Sequence, residues 1–315
     1  MAVLDTLKQL RMVHWLYNLV HYKSLLHNKA AYKKYNIRKT LAASISSKDF
    51  PDKESKAWLD IAHSKNLVFT KEKFKEFPAE VQEQLLNWSD NGYIILSRFF
   101  DEPIIEPINQ EIERLIRQKK IEPTYFNKLR FANKISPPIK KFTFDRRLTD
   151  ILSFILDKEV VPFQTLNFIY GSGQRAHSDS IHMTTYPLGY LIAAWIALED
   201  MNMDNGPLFY YPGSHRMPFL LNNGLNNAGN AISIGKKDYT GYEDLTEKLV
   251  IEKNFEKKIF LAKKGDVLIW HANLVHGGLP VANPELTRKS MVIHYYAKDV
   301  IKYHEISERP SLIED

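Results

Sequence analysis

Cysteine is absent from all 315 residues. Disulfides, thiolate nucleophiles and Cys-ligated zinc or iron–sulfur centres are thereby excluded, and any metal site must be built from His, Asp and Glu. No apolar run approaches the length of about 18 residues that a membrane-spanning helix requires, so none is expected. The N-terminus has no clean apolar segment ending in a small-residue cleavage site, and no signal peptide is read there. A cytoplasmic location is the resulting expectation, with peripheral membrane contact as a variant of it. Internal repeats and low-complexity tracts are also lacking.

An excess of basic charge is missing from most of the chain as well. Overall there are 43 Lys and Arg against 37 Asp and Glu, a net charge of +6. Residues 1–47 hold eight of the basic residues and one acid, Asp5, which leaves 35 basic against 36 acidic residues elsewhere. The basicity belongs to an N-terminal arm. This argues against a nucleic-acid groove across the whole protein.

What is present is the composition of a soluble globular protein long enough to bury a sizeable core, with 12% aromatic residues. Residues 2–35 read as helix, with Leu4, Leu7, Leu10, Trp15, Leu16 and Leu19 close to a 3.6-residue period. Three readings are open for it: a helix packed on the main domain, one lying on an anionic membrane surface, or a dimerisation element. Helical stretches are expected over Lys53–Ser64, Glu72–Asn87, Asp101–Lys120 and Arg147–Leu156, with an Asn91-Gly92 turn and a strand at Tyr93–Leu96. Phe131–Ile139, carrying Pro137-Pro138, reads as irregular. From Val161 on the pattern changes to short strands: Val161–Tyr170, Met183–Tyr186, Leu191–Leu198, Leu208–Tyr211, Lys258–Leu261, Asp266–Trp270 and Ser290–Ala297. Many short strands punctuated by Gly and Pro suggest a jelly roll or barrel. Residues 216–257 interrupt them with an Asn/Gly-rich part and a helix near Glu243–Asn254, a long insertion of the kind that often serves as a lid.

Chemistry concentrates in two segments. In Gln174-Arg175-Ala176-His177-Ser178-Asp179, His177 and Asp179 stand two apart, which on an extended chain places an imidazole and a carboxylate on one face. These are two of the three ligands of a 2-His-1-carboxylate triad. Alone, His-x-Asp is more often an ordinary surface pair. The second segment, Gly265 to Gly278, runs through an apolar strand to His276, and Arg288 and Ser290 follow as another i, i+2 pair. An arginine fork beside a hydroxyl suits a terminal carboxylate, although a surface arginine is the plainer reading. Trp195 in its apolar strand reads equally as core. His182, His215, His271 and His294 compete as ligands.

The ordered set His177-x-Asp179, Trp195, Asn205-Gly206-Pro207-Leu208, Pro212-Gly213-Ser214-His215, His276 and Arg288-x-Ser290 resembles the phytanoyl-CoA dioxygenase family of Fe(II)/2-oxoglutarate oxygenases. The resemblance covers roughly Trp88 to Ala297. It implies a mainly β fold with flanking helices: a double-stranded β-helix (jelly roll, cupin-like) preceded by a helical N-terminal region. Residues 1–50 would form the basic arm and 51–315 the oxygenase domain, with a core at about 160–298. By the same resemblance His177, Asp179 and His276 bind Fe(II). His276 is preferred over His271 because it directly precedes Gly277-Gly278. Arg288 and Ser290 would hold the distal carboxylate of 2-oxoglutarate, with Trp195 and Gln174 beside it. The implied reaction uses O2, releases succinate and CO2, and hydroxylates an unactivated C–H. Related halogenases lack the carboxylate that Asp179 supplies. The implied substrate is a small molecule or a lipid-linked one. The alternatives are a non-redox cupin-type metal- or sugar-binding protein and a metal-dependent isomerase or hydrolase.

Overall fold

In a computed structural model the described residues are 9–50, 57–61, 64–222, 224–225, 229–235 and 238–313. Twelve strands follow in chain order: β1 Tyr93–Leu96, β2 Leu129–Arg130, β3 Val160–Phe168, β4 Thr184–Tyr186, β5 Leu191–Ala197, β6 Leu208–Tyr210, β7 Lys258–Phe260, β8 Val267–His271, β9 His276–Gly278, β10 Ser290–Ala297, β11 Ile301–His304 and β12 Arg309–Pro310. They form a six-stranded sheet, β1-β8-β5-β10-β3-β2, and two three-stranded sheets, β7-β6-β9 and β12-β11-β4. Every pairing is antiparallel. This is the expected jelly roll with flanking helices. The helices of ten residues or more among the described residues are α1 Arg11–Val20, α2 Glu102–Arg117, α3 Arg146–Leu156 and α4 Tyr239–Glu252. No helix among these residues is long and apolar enough to cross a membrane.

The large sheet is buried on both faces, so its strands read as nearly continuous apolar runs in which the two-residue alternation is hidden. The two faces nevertheless differ. Ile192, Ala194 and Ile196 of β5, Val267 and Ile269 of β8, and Met291 and Ile293 of β10 pack with α2 and α3 in the main hydrophobic core. The intervening Trp195, Leu268, Trp270 and Val292 turn to the other side, into a second apolar cluster, from which Trp195, Trp270 and Val292 line the cavity of the roll. Register aligns them: Leu268 lies opposite Trp195, Trp195 opposite Val292, and Val292 opposite Leu166.

Several local expectations are corrected. The stretch expected as one helix over Glu72–Asn87 is two, Glu72–Glu76 and Ala79–Leu86, because Pro78 forces extended backbone on Phe77. Of Lys53–Ser64, residues 53–56 and 62–63 lie outside the described residues, and Trp58–Asp60 is a 3-10 turn. Phe131–Ile139 is not irregular. It holds helices Ala132–Ile135 and Pro137–Phe142, the second started by the two prolines and capped by Ser136 Oγ, which accepts from Ile139 N at 3.3 Å. At the N-terminus, Leu4 and Leu7 lie outside the described residues. Trp15, Leu16 and Leu19 do not pack on the domain but face solvent, while His14 and Asn18 face inward.

Candidate metal and co-substrate site

The candidate metal site is built around the β9–β6 pair. His177 forms a bridge with His276: each backbone N–H donates to the other's carbonyl at 2.9 Å, and the ring centroids are 4.5 Å apart. The register of that bridge, not the i, i+2 spacing, sets the two imidazoles side by side. Asp179 follows at the start of a 3-10 turn, Asp179–Ile181. One ligand atom each from His177, Asp179 and His276 lies within 4.8 Å of the others, and all three residues are buried. Gly277 and Gly278 follow because the chain has no room there: a Cβ on Gly277 would stand 2.5 Å from the Phe209 ring and 2.7 Å from the Gln174 carbonyl.

Tautomers are set locally. Nδ1 of His177 donates to the Arg175 carbonyl at 2.8 Å, and Nδ1 of His276 to that of Leu274 at 3.0 Å. Both rings therefore present a bare Nε2 to the cavity, as a metal ligand must. Burial, reinforced by the neighbouring His276, holds His177 well below the usual histidine value, and burial likewise lowers His276. Burial alone would raise the Asp179 carboxyl, but the surrounding His294, His276 and His177 outweigh it and keep the group ionised. Trp270 Nε1 donates to Asp179 Oδ2 at 2.8 Å, and His294 Nε2 stands 3.3 Å from the same oxygen. Two neutral imidazoles and one carboxylate, open on the cavity side, fit a divalent cation with free coordination positions.

The same cavity, of about 380 Å³, is lined by Arg288. This arginine is buried, its Nε has no hydrogen-bond partner, and its guanidinium lies 5.0 Å from the Phe168 ring centroid. Burial lowers it to about 10, opposed in part by Glu199. Ser290, fully buried, likewise has an Oγ without a partner. Ser290 is not among the residues lining the cavity, so the unsatisfied buried donor that the cavity itself offers an anionic ligand is that of Arg288. Trp195 is buried and lines the same space. Gln174 Nε2 donates to His177 Nε2 at 3.0 Å and lies 3.2 Å from the Tyr239 hydroxyl, so it caps the position a metal would take.

The competing histidines point elsewhere or play other parts. His271 pairs with Asp60 at 3.0 Å, and His215 Nε2 donates to the Ser89 carbonyl at 3.2 Å. His182 lines the cavity beside Tyr239. Sequence reasoning missed Trp270 as a support of Asp179; His294, expected as a barrel-interior side chain, lines the cavity. It also missed Lys128, which lines the cavity and is pushed down to about 8 by burial with Arg130 nearby. Helix α4 of the insertion is clamped to the ligand segment. The Tyr242 hydroxyl accepts from Ser178 N at 2.9 Å, and Arg175 is ion-paired to Asp244 and Glu247 at 2.7 and 2.6 Å.

Residues 88–290 match the family model of phytanoyl-CoA dioxygenase. The chain belongs to the phytanoyl-CoA dioxygenase family. It is an enzyme of the iron- and 2-oxoglutarate-dependent oxygenase class. It is 24% identical over 216 residues to phytanoyl-CoA dioxygenase domain-containing protein 1 of Danio rerio, a match covering 64% of this chain and 67% of that protein. It is 22% identical over 223 residues to the peroxisomal phytanoyl-CoA dioxygenase of Bos taurus, covering 62% of each. The chain thus spans somewhat less than two thirds of the latter's length. Among solved structures, SnoK, a non-heme alpha-ketoglutarate-dependent carbocyclase from nogalamycin biosynthesis, superposes with a TM-score of 0.58 at 16% identity, over 76% of this chain and 89% of its own. That likeness concerns the fold.

The buried histidines of this family member give it an acid-labile fold. Burial holds His215 at about 3 and both His182 and His304 at about 4, aided by the neighbouring His271, His304 and Arg309 respectively. Each is neutral in the folded chain, whereas the unfolded chain takes up protons as pH falls through about 6.5. Stability is therefore full above that value and lost below it, by at most about 2 kcal/mol per histidine at pH 5. Thermal melts should be flat from pH 8 to 7 and fall by on the order of 10 °C by pH 5. A melting temperature unchanged down to pH 5 contradicts this account.

Proposed function

We propose that this chain is an Fe(II)- and 2-oxoglutarate-dependent dioxygenase that hydroxylates an unactivated C–H of a small-molecule or lipid-linked substrate. The observation that carries the reading is a single cavity lined both by a buried His-Asp-His group and by a buried arginine whose Nε has no hydrogen-bond partner. His177, Asp179 and His276 would hold the iron. Arg288, with Ser290, would take the distal carboxylate of 2-oxoglutarate, and Trp195 and Gln174 would flank it. Bound iron and 2-oxoglutarate supply the oxidation: one atom of O2 ends in succinate, formed with CO2, and the other in the new hydroxyl group.

The chain's own residues orient and enclose. Trp270 fixes the Asp179 carboxylate, with the His294 ring beside it, and the Arg175 and Leu274 carbonyls fix the two imidazoles. Gln174 must release His177 Nε2 for metal to bind, which leaves its amide free for a ligand beside the metal. Phe168, Leu166, Leu208 and Val292 contribute apolar lining to the cavity. Residues 51–315 are read as one oxygenase domain with 1–50 as its arm. The insertion 216–257 is read as a cover, with Tyr239 lining the cavity and α4 braced by Tyr242.

Anaerobic titration of the Fe(II)-loaded protein with 2-oxoglutarate tests the reading. The weak visible charge-transfer absorption of a keto acid chelated to Fe(II) should appear in wild type and be missing in Asp179→Ala. Metal binding without that absorption would favour the non-redox cupin-type reading, which has no use for a buried arginine in the same cavity.

A further inference from the structure

The N-terminal arm turns the wrong way for a helix that serves only the core. Met12, Trp15, Leu16, Leu19 and Val20 of α1 fall at i, i+3, i+4, i+7 and i+8, the spacing of one helix face, and all five are exposed, Met12 by 66% and Val20 by 82%. Tyr22 and Leu26 extend the face. Its orientation is pinned by polar contacts on the inner side. Asn18 Nδ2 donates to the Ala42 carbonyl at 2.9 Å, and His14 meets Arg309 at 3.3 Å. Asn28 exchanges two hydrogen bonds with the Lys302 backbone, at 2.8 and 2.9 Å. Beneath the arm a separate hydrophobic cluster around Leu25, Tyr32, Leu41 and Ile45 is already filled. The outward apolar residues are surplus to the core, and contiguous exposed apolar surface of this kind marks an interaction site.

Charge identifies the occupant. No Asp or Glu occurs between Thr6 and Lys48. Lys23, Lys29, Lys33 and Arg38 of the same arm are exposed and have no carboxylate partner among the described residues. The acids that line a groove with Met12 and Trp15, Asp49 and Glu308, are already ion-paired to Lys39 and Arg11, so a second copy would bring two net-basic surfaces together, which like-charge repulsion opposes. An exposed apolar stripe that includes Trp15, on an arm whose sequence is otherwise basic, matches the headgroup region of an anionic bilayer. We propose that the outward face of residues 11–38 docks this protein on an anionic lipid surface. The proposal does not rest on the oxygenase reading, and its test does not use turnover.

The experiment is flotation of the full chain with vesicles of phosphatidylcholine alone or mixed with phosphatidylserine. Wild type should float with the mixed vesicles, detach as salt is raised, and stay behind with phosphatidylcholine alone. The triple variant Trp15→Ser/Leu16→Ser/Val20→Ser should lose binding. Lys23→Gln/Lys29→Gln/Lys33→Gln should weaken it about fivefold per charge removed, since a lysine near such a surface contributes about 1 kcal/mol. Both variants change exposed positions, so melting temperatures should match wild type. Failure of wild type to float, equal floating with both vesicles, or unchanged binding by the variants would overturn the proposal. So would a wild-type dimer in sedimentation that the triple variant dissolves, since the face would then belong to a second copy.

Discussion

Asp179→Ala should cost this protein more than about 100-fold in Fe(II) affinity and abolish 2-oxoglutarate consumption. Losing a group that merely supports a metal ligand costs about 10–100-fold, so losing the ligand itself costs more. Asp179 is the sole carboxylate of the three-residue group and the source of its negative charge. The alanine variant also strands the buried Trp270 N–H, which now donates to Asp179 at 2.8 Å, at about 1–3 kcal/mol of stability. Asp179→Asn separates the two effects: the amide oxygen keeps the Trp270 bond while the charge is gone. Anaerobic calorimetric titration with Fe(II) should find both variants impaired in binding, with Asp179→Asn melting closer to wild type. Wild-type iron affinity in Asp179→Asn would remove Asp179 from the metal site.

Why Asp179 was readable from the chain while its supports were not follows from how the sheet is built. His177, Asp179, His276 and the Arg288-x-Ser290 pair sit at strand ends and turns, where a polar residue interrupts an apolar pattern. Trp270 and His294 lie inside β8 and β10, which are buried along their whole length. In such a run nothing local tells a residue facing the cavity from one facing α2 and α3. That distinction comes from parity counted from a residue already placed. Ser290, Val292 and His294 share a face, and the register then carries it from Val292 through Trp195 to Leu268. Short strands such as β9, β11 and β12 depend on partners far along the chain and leave no pattern of their own. The N-terminal arm shows the converse. Its 3.6-residue period is visible in the sequence, but periodicity does not say which face is inside. Three polar side chains, His14, Asn18 and Asn28, decide it through contacts with residues 42, 302 and 309.

Arg288 supports the most discriminating expectation, because its two roles predict opposite signs. A buried guanidinium without hydrogen-bond partners, lowered to about 10 by its surroundings, is a burden on the folded chain. Replacing a buried charge with an apolar side chain of similar length is often neutral or stabilising, by about 1–4 kcal/mol. Arg288→Met should therefore melt at or above the wild-type temperature in the absence of ligands. If the same arginine completes the co-substrate site, the variant should also bind 2-oxoglutarate at least about 30-fold more weakly, the lower end of the 2–5 kcal/mol cost of truncating one partner of a buried charge pair. Its Fe(II) affinity should be unchanged, since none of the three candidate metal-binding residues is altered. An arginine that merely braced β10 against Glu199 would give the reverse: a lower melting temperature with 2-oxoglutarate affinity intact. Melting curves with and without 2-oxoglutarate, read together with anaerobic Fe(II) titration, distinguish the two. The ligand-induced rise in melting temperature should be present in wild type and lost in Arg288→Met.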